Sequence, residues 1–193
     1  MSASNSTRRG VLVGGLAALI PLAAPAILSA QTSGLAGPDA ARNNISGFVT
    51  QRWQDHFETL GSGAIVADLP SRALHYWSAD GQDYRLYPSS VPMTEDLTRR
   101  GYTEIVRKKV GPDWTPTASM LERDPTLKYT PPGPANPLGT HAMYLSWPAY
   151  IIHGTHDTRK IGRRSSSGCV GLYNEHIAEL FALVPVGTQV RLI

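Results

Sequence analysis

The sequence predicts a mostly β fold of mixed strands, with one or two short helices and a long proline-rich loop, built as one domain. Three observations carry this expectation. Short runs rich in β-branched and aromatic residues recur between turn signals. Eighteen glycines and fifteen prolines are spread over 193 residues, which implies many turns. Only two segments show apolar residues at the three- and four-residue spacing of a helix. Without its first thirty residues the chain keeps roughly 160, enough for one core and too few for two.

Residues 1–30 read as an export signal: Thr7-Arg8-Arg9 forms a basic start, an apolar run begins at Val11, and small residues lead to Ala30. That order is the one a secretory signal peptide requires, and the paired arginines resemble a twin-arginine signal. The stretch 10–30 is long enough to span a bilayer, but Pro21 and Pro25 weaken it as a helix. Cleavage near Ala30 is expected, with membrane contact only through this segment if it stays uncut. The folded part is then periplasmic.

Residues 31–60 are expected to form a linker followed by a short amphipathic helix. In it Phe48, Val49, Arg52, Trp53, His56 and Phe57 fall at helical spacing, capped by Ser46. Strands follow at Ala64–Asp68 and Ala73–Trp77, joined by Leu69-Pro-Ser-Arg. A hairpin then leads to Tyr84–Tyr87, its Asp80-Gly81 pair supplying positive φ values. Residues 111–140 hold seven prolines and little periodicity, so a long ordered loop is expected. Met143–Leu145 and Tyr150–His153 read as strands. The helix 174–183, capped by Asn174, presents Ile177, Leu180, Phe181 and Val184 on one stripe, and a strand follows from Gln189.

The formal charge is +3, and without Arg8 and Arg9 sixteen basic residues face fifteen acidic ones. A nucleic-acid surface needs a larger excess. The runs Arg99-Arg100, Arg107-Lys108-Lys109 and Arg159-Lys160 with Arg163-Arg164 therefore read as solvated loop charges, and no nucleic acid is expected as partner. His141 and His156 lack the spacing of a metal site, so neither metal nor cofactor is expected. Trp53, Trp77 and Trp114 read as packing residues. Tyr144 and Trp147 are placed either in the core or along a cleft.

The single cysteine, Cys169, cannot form an intramolecular disulfide. It lies in Ser165-Ser-Ser-Gly-Cys-Val-Gly, whose small residues allow a sharp turn and exposed amide N–H groups. His153 ends an apolar strand run and is followed by Gly154, so the chain turns there. A cysteine nucleophile needs a base and donors for the developing oxyanion, and a histidine partner can lower the thiol pKa to ~3.5–7.5. From the residues alone, a Cys–His site and a buried structural cysteine both remain open.

The stretch His153-Gly-Thr, Ile161-Gly162, Ser166-Ser-Gly-Cys-Val170, Leu172 and Asn174 resembles the signature of the YkuD-type L,D-transpeptidases, over roughly residues 60–193. The resemblance implies a twisted β-sandwich of mixed strands, with residues 61–193 as the catalytic domain. It implies that Cys169 attacks the diaminopimelate carbonyl of a peptidoglycan tetrapeptide stem, releases D-Ala, and passes the acyl group to a second stem. His153 would then be the base, oriented by the Gly154 carbonyl. Gly168 and Cys169 would supply oxyanion N–H groups, and Ser166 would hold the loop. Tyr144, Thr155, Ser167, Arg163 and Arg164 are carried as substrate-binding candidates.

Two positions depart from the pattern. Gly171 stands where the family usually has Arg, and His176 where it usually has Asp. The contact that arginine normally makes is then either missing or supplied by Arg163 or Arg164, and a Gly171→Arg change is expected to alter specificity more than stability. Alternatives are a branch joining diaminopimelate to L-Ala, a carboxypeptidase that uses water, and a noncatalytic wall-binding module.

Overall fold

The computed structural model describes residues 48–193. The expected export segment, the expected linker at 31–45 and the Ser46 cap lie outside the described residues. Between 48 and 60 the expected amphipathic helix is absent. One 3-10 turn, Trp53–Asp55, stands in its place. Side-chain tethers to the sheet account for this: Gln51 donates to Asp68 (2.8 Å), and His56 meets both Gln51 (3.0 Å) and Arg191 (3.2 Å). A short helix is marginal by itself, and these bonds hold the segment extended while Phe57 is buried against Val66 and Trp77.

Strands β1 (Ala64–Asp68), β2 (Ala73–Trp77) and β3 (Tyr84–Pro88) form an antiparallel meander. In the first turn buried Asp68 accepts from Ser71 N–H (3.0 Å) and Ser71 Oγ (2.7 Å). In the second, only Gly81 has positive φ (71°). Asp80 instead uses its carboxylate to accept from Ser78 Oγ and Gln82 N–H. The turn is therefore wider than the Asp-Gly pair suggests.

After β4 (Val91–Pro92) comes β5 (Gly101–Val110), which sequence reading does not find. It holds the Arg107-Lys108-Lys109 run, so those charges belong to a strand rather than a loop. Lys108 caps a helix, donating to the Phe181 (2.5 Å) and Val184 (2.6 Å) carbonyls, where a cation is favoured. Residues 111–140 do form a loop, apart from α1 (Ala118–Arg123) and one bridge between Trp114 and Thr130. Buried Asn136 pins it by donating to the carbonyls of Pro112, Thr130 and Pro131.

The remaining elements are β6 (His141–Leu145), β7 (Ile151–His153), β8 (Arg164–Ser166), β9 (Val170–Gly171), α2 (Asn174–Leu183) and β10 (Gln189–Leu192). Eight strands make one mixed sheet in the order β3-β2-β1-β10-β5-β6-β7-β9, and β4 pairs with β8 in parallel. Ile65, Leu74, Ile105, Met143, Ile152 and Val170 share one core with Ile177 and Leu180 of α2. Strands from nearly the whole width of the sheet meet in that core, so the sheet curls around α2. Each such side chain contributes roughly 1.5–3 kcal/mol by burial. Among the described residues no helix is long and apolar enough to cross a membrane.

Candidate active site

The edge of the sheet brings the cysteine to the histidine. β7 and β9 run parallel, with Ile152 opposite Val170 and His153 opposite Gly171. Cys169 directly precedes β9, and Gly168 makes the approach with a φ of 132°. Ser166 braces this turn: its Oγ donates to the Cys169 carbonyl (2.5 Å) and accepts a long bond from Gly168 N–H (3.4 Å). The thiol reaches the Ala149 carbonyl at 3.5 Å. Ala149 has a φ of 64°, uncommon for a residue with a Cβ, and lies in the turn between β6 and β7.

His153 Nδ1 donates to the carbonyl of Gly154. A carbonyl can only accept, so the proton sits on Nδ1 and Nε2 keeps a free lone pair. Asn174 supports this arrangement from α2. Its side chain does not cap the helix, as the sequence suggested; Oδ1 instead accepts from the N–H groups of Thr140 (3.1 Å) and Thr155 (3.2 Å). A Cβ on Gly154 would lie 2.3 Å from that oxygen, so this position has no room for a side chain.

Burial pushes the Cys169 thiol up to about 11, only partly offset by the Ile151 N–H. Burial likewise pulls His153 down to about 4; the Gly154 carbonyl opposes this, and the Lys160 charge adds to it. Burial thus favours a neutral thiol beside a neutral imidazole in the resting site. Desolvation penalises both ions before substrate arrives.

Cys169 lies between two cavities. The larger, about 340 Å³, is lined by Arg107, Asp113, Tyr144, Ala149 and Ile151. The smaller, about 120 Å³, is lined by Ser90, His153, Thr155, Lys160 and residues 165–167. Trp114, Met120 and Leu138 of the long loop wall both.

The model of the YkuD family, the L,D-transpeptidase catalytic domain, matches residues 62–192. This chain belongs to the YkuD L,D-transpeptidase family. A Fuscovulum blasticum protein, ORF 5 of the ATP synthase subunits region, named as a candidate L,D-transpeptidase, is 63% identical over 96% of this chain and 97% of its own length. Escherichia coli YbiS, likewise named as a candidate, is 37% identical over 70% of this chain, which spans only 46% of YbiS. Among solved structures, the L,D-transpeptidase from Mycobacterium smegmatis superposes with a TM-score of 0.55 at 21% identity, covering 68% of this chain and 58% of that one. The enzyme from Xylanimonas cellulosilytica gives 0.53 at 18%, over 81% and 70%. At these identities the likeness concerns the fold.

The family's residues fall unevenly around the thiol. Tyr144 lines the larger cavity, while Thr155, Ser166 and Ser167 line the smaller one. Arg163 and Arg164 line neither cavity, and Arg164 is exposed and paired with Glu95 (3.3 Å). Trp147 also stands apart, stacked under Arg99 and against Tyr150. Trp114, expected as packing, walls the cleft. His176, the second departure, packs between Tyr87 and Tyr173.

Gly171 is the clearest surprise. Its buried backbone exchanges two hydrogen bonds with Ser90, and a Cβ there would meet Ser90 Oγ at 2.3 Å. The serine fills the space that a side chain at 171 would need. No signal near Cys169 points to Ser90, Arg107 or Ala149, because their roles come from the bridge just before β4, from β5 and from a strand turn distant in sequence.

Proposed function

We propose that this chain is an exported peptidoglycan L,D-transpeptidase that works through a Cys169 thioester. The observation that carries this reading is the Nδ1 bond from His153 to the Gly154 carbonyl, which leaves Nε2 basic on a strand beside Cys169. Residues 1–30 act as the export signal, residues 31–45 as a linker, and residues 61–193 as the catalytic domain, which functions in the periplasm with the segment around residues 51–57 fastened to its sheet.

A tetrapeptide stem binds with its diaminopimelate carbonyl carbon against Sγ. As the S–C bond forms, the thiol proton passes to His153 Nε2. Substrate binding relieves the cost of this transfer, because the charge that develops on the carbonyl oxygen is met by backbone N–H groups at Cys169 and Gly168. The weak 3.4 Å contact of Gly168 N–H with Ser166 is readily exchanged for the oxyanion. The tetrahedral adduct expels D-Ala as its nitrogen takes the proton from His153. An amine from a second stem then attacks the thioester, His153 accepts the amine proton, and the S–C bond breaks as Sγ takes that proton back from His153, restoring the thiol. One amide replaces another, so the exchange needs no external energy source.

The test is to incubate the full chain and its Cys169→Ala variant with tetrapeptide muropeptides and read the products by mass spectrometry. Cysteine-dependent dimers lacking one D-Ala are expected. Cysteine-dependent tripeptide without dimers would make water the acceptor, and no change would return the chain to a binding role.

A further inference from the structure

We propose that Arg107 is the carboxylate-binding residue of the larger cavity and that it reads the terminal carboxylate of the departing D-Ala. This rests on the function proposed above. The placement of Arg107 depends on a break in β5. Ile105 pairs with Leu145, yet the next partner, Tyr144, faces Arg107 rather than Val106. Val106 is thus the extra residue of a bulge. In an unbroken strand, side chains alternate, so Arg107 would share the core-facing side of Ile105 and Val106 would face Tyr144. The bulge reverses this and turns Arg107 toward the cavity that contains Cys169, a use bulges commonly serve.

Its guanidinium carbon lies 3.4 Å from the centre of the Tyr144 ring. That stacking fixes the plane of the fork and leaves its edge open. Arg107 makes no hydrogen bond or ion pair among the described residues. The one acid lining the cavity, Asp113, is bonded to Lys109. The Arg107 charge also acts on Asp113, but it is the weakest of the influences that lower that carboxyl. With Lys109 counted, the three groups leave one net positive charge, and the five N–H donors of Arg107 suit a bidentate carboxylate. In the donor peptide one residue, roughly 3.5 Å of chain, separates the attacked carbonyl from the terminal carboxylate. With the carbonyl at Sγ, that carboxylate stays within the same cavity.

The experiment measures binding to the full chain carrying Cys169→Ala, with and without Arg107→Gln, by calorimetry. The probes are L-Ala-γ-D-Glu-diaminopimelate-D-Ala as the free acid, the same peptide amidated at its C-terminus, and the peptide amidated at the diaminopimelate side-chain carboxylate. With Arg107 present, C-terminal amidation should weaken binding by about tenfold or more. With Arg107→Gln, acid and C-terminal amide should bind equally and weakly, while Arg107→Lys should keep part of the preference. Equal binding of acid and C-terminal amide in the presence of Arg107 would overturn the proposal. So would an acid preference that survives Arg107→Gln, or a penalty confined to side-chain amidation. If Arg107→Gln unfolds the chain, the acid-to-amide ratio of the Arg107 protein and the response to Arg107→Lys still decide. Turnover of the unmodified enzyme is read separately. Acid-selective binding without turnover would sink the acyl-transfer reading and spare Arg107; turnover without acid selectivity would do the reverse.

Discussion

Asn174 holds Thr155 by its backbone: the side-chain oxygen accepts the Thr155 N–H at 3.2 Å, and the same atom accepts from Thr140. Because Gly154 lies between His153 and Thr155, this bond fixes the carbonyl that orients the imidazole. Asn174→Ala would leave the buried Thr155 N–H unsatisfied, at a cost of about 1–3 kcal/mol. Asn174→Asp keeps an acceptor and should recover most of that loss. Thermal unfolding of the two variants tests this; equal destabilisation would show that the side-chain nitrogen also matters.

Alkylation should report the neutral resting pair. With the thiol raised to about 11, the thiolate fraction grows tenfold per pH unit below that value. The rate with iodoacetamide is therefore expected to be low at pH 7 and to climb without a plateau through pH 9. A flat rate across the neutral range would mean a preformed thiolate–imidazolium pair.

Gly171 and Ser90 form a second testable couple. Gly171→Ala should destabilise the fold by about 1–3 kcal/mol through overpacking. Ser90→Ala should rescue it, since the remaining atom, Ser90 Cβ, is 3.7 Å from the new methyl. Additive losses in the double variant would locate the strain elsewhere. Gly171→Arg, expected from sequence to tune specificity, meets the same obstacle and should first lower stability.

His75 predicts a pH dependence of folding. It is fully buried, stacked on Trp77, and bonded through Nδ1 to Tyr84, and burial lowers its pKa to about 4. The folded pKa lies below the unfolded value of 6.5, so this contribution is present above 6.5 and is lost as pH falls toward 4. The full difference corresponds to roughly 3 kcal/mol. Denaturant unfolding at pH 7 and pH 4.5 should show the drop, and His75→Phe should remove the His75 share while leaving that of His153, which burial also pulls down to about 4. An unchanged slope in the variant would assign the acid sensitivity to His153 and the carboxylates.

The parts legible in the sequence were those written locally. β1 to β3, β6, β7, α2 and β10 follow from short patterns, and the Cys169 and His153 signals sit in one stretch of chain. β5 was hidden because Tyr102, Val106 and Val110 are exposed and basic residues follow Ile105, so no clean alternation survives the bulge. The thiol's state depends on burial by the long loop, which no residue beside Cys169 encodes. Asn174 looked like a cap because Asn suits that position; its actual partners, Thr140 and Thr155, depend on tertiary packing. Helical spacing before residue 60 misled because tethering to Asp68 and Arg191 outweighs a short helix's weak preference.

The sheet order has a consequence for the timing of folding. β10 follows every other described element in the chain, yet it lies between β1 and β5. The meander β1 to β3 and the strands β5, β6, β7 and β9 beside Cys169 join into one sheet only through it. A nascent chain can form local hairpins early, but the two halves stay unjoined until β10 has been made and inserted between them. Non-local pairing of this kind is slow to form. A copy made only as far as α2 therefore has no completed core around its thiol, which ties assembly of the pocket at Cys169 to β10.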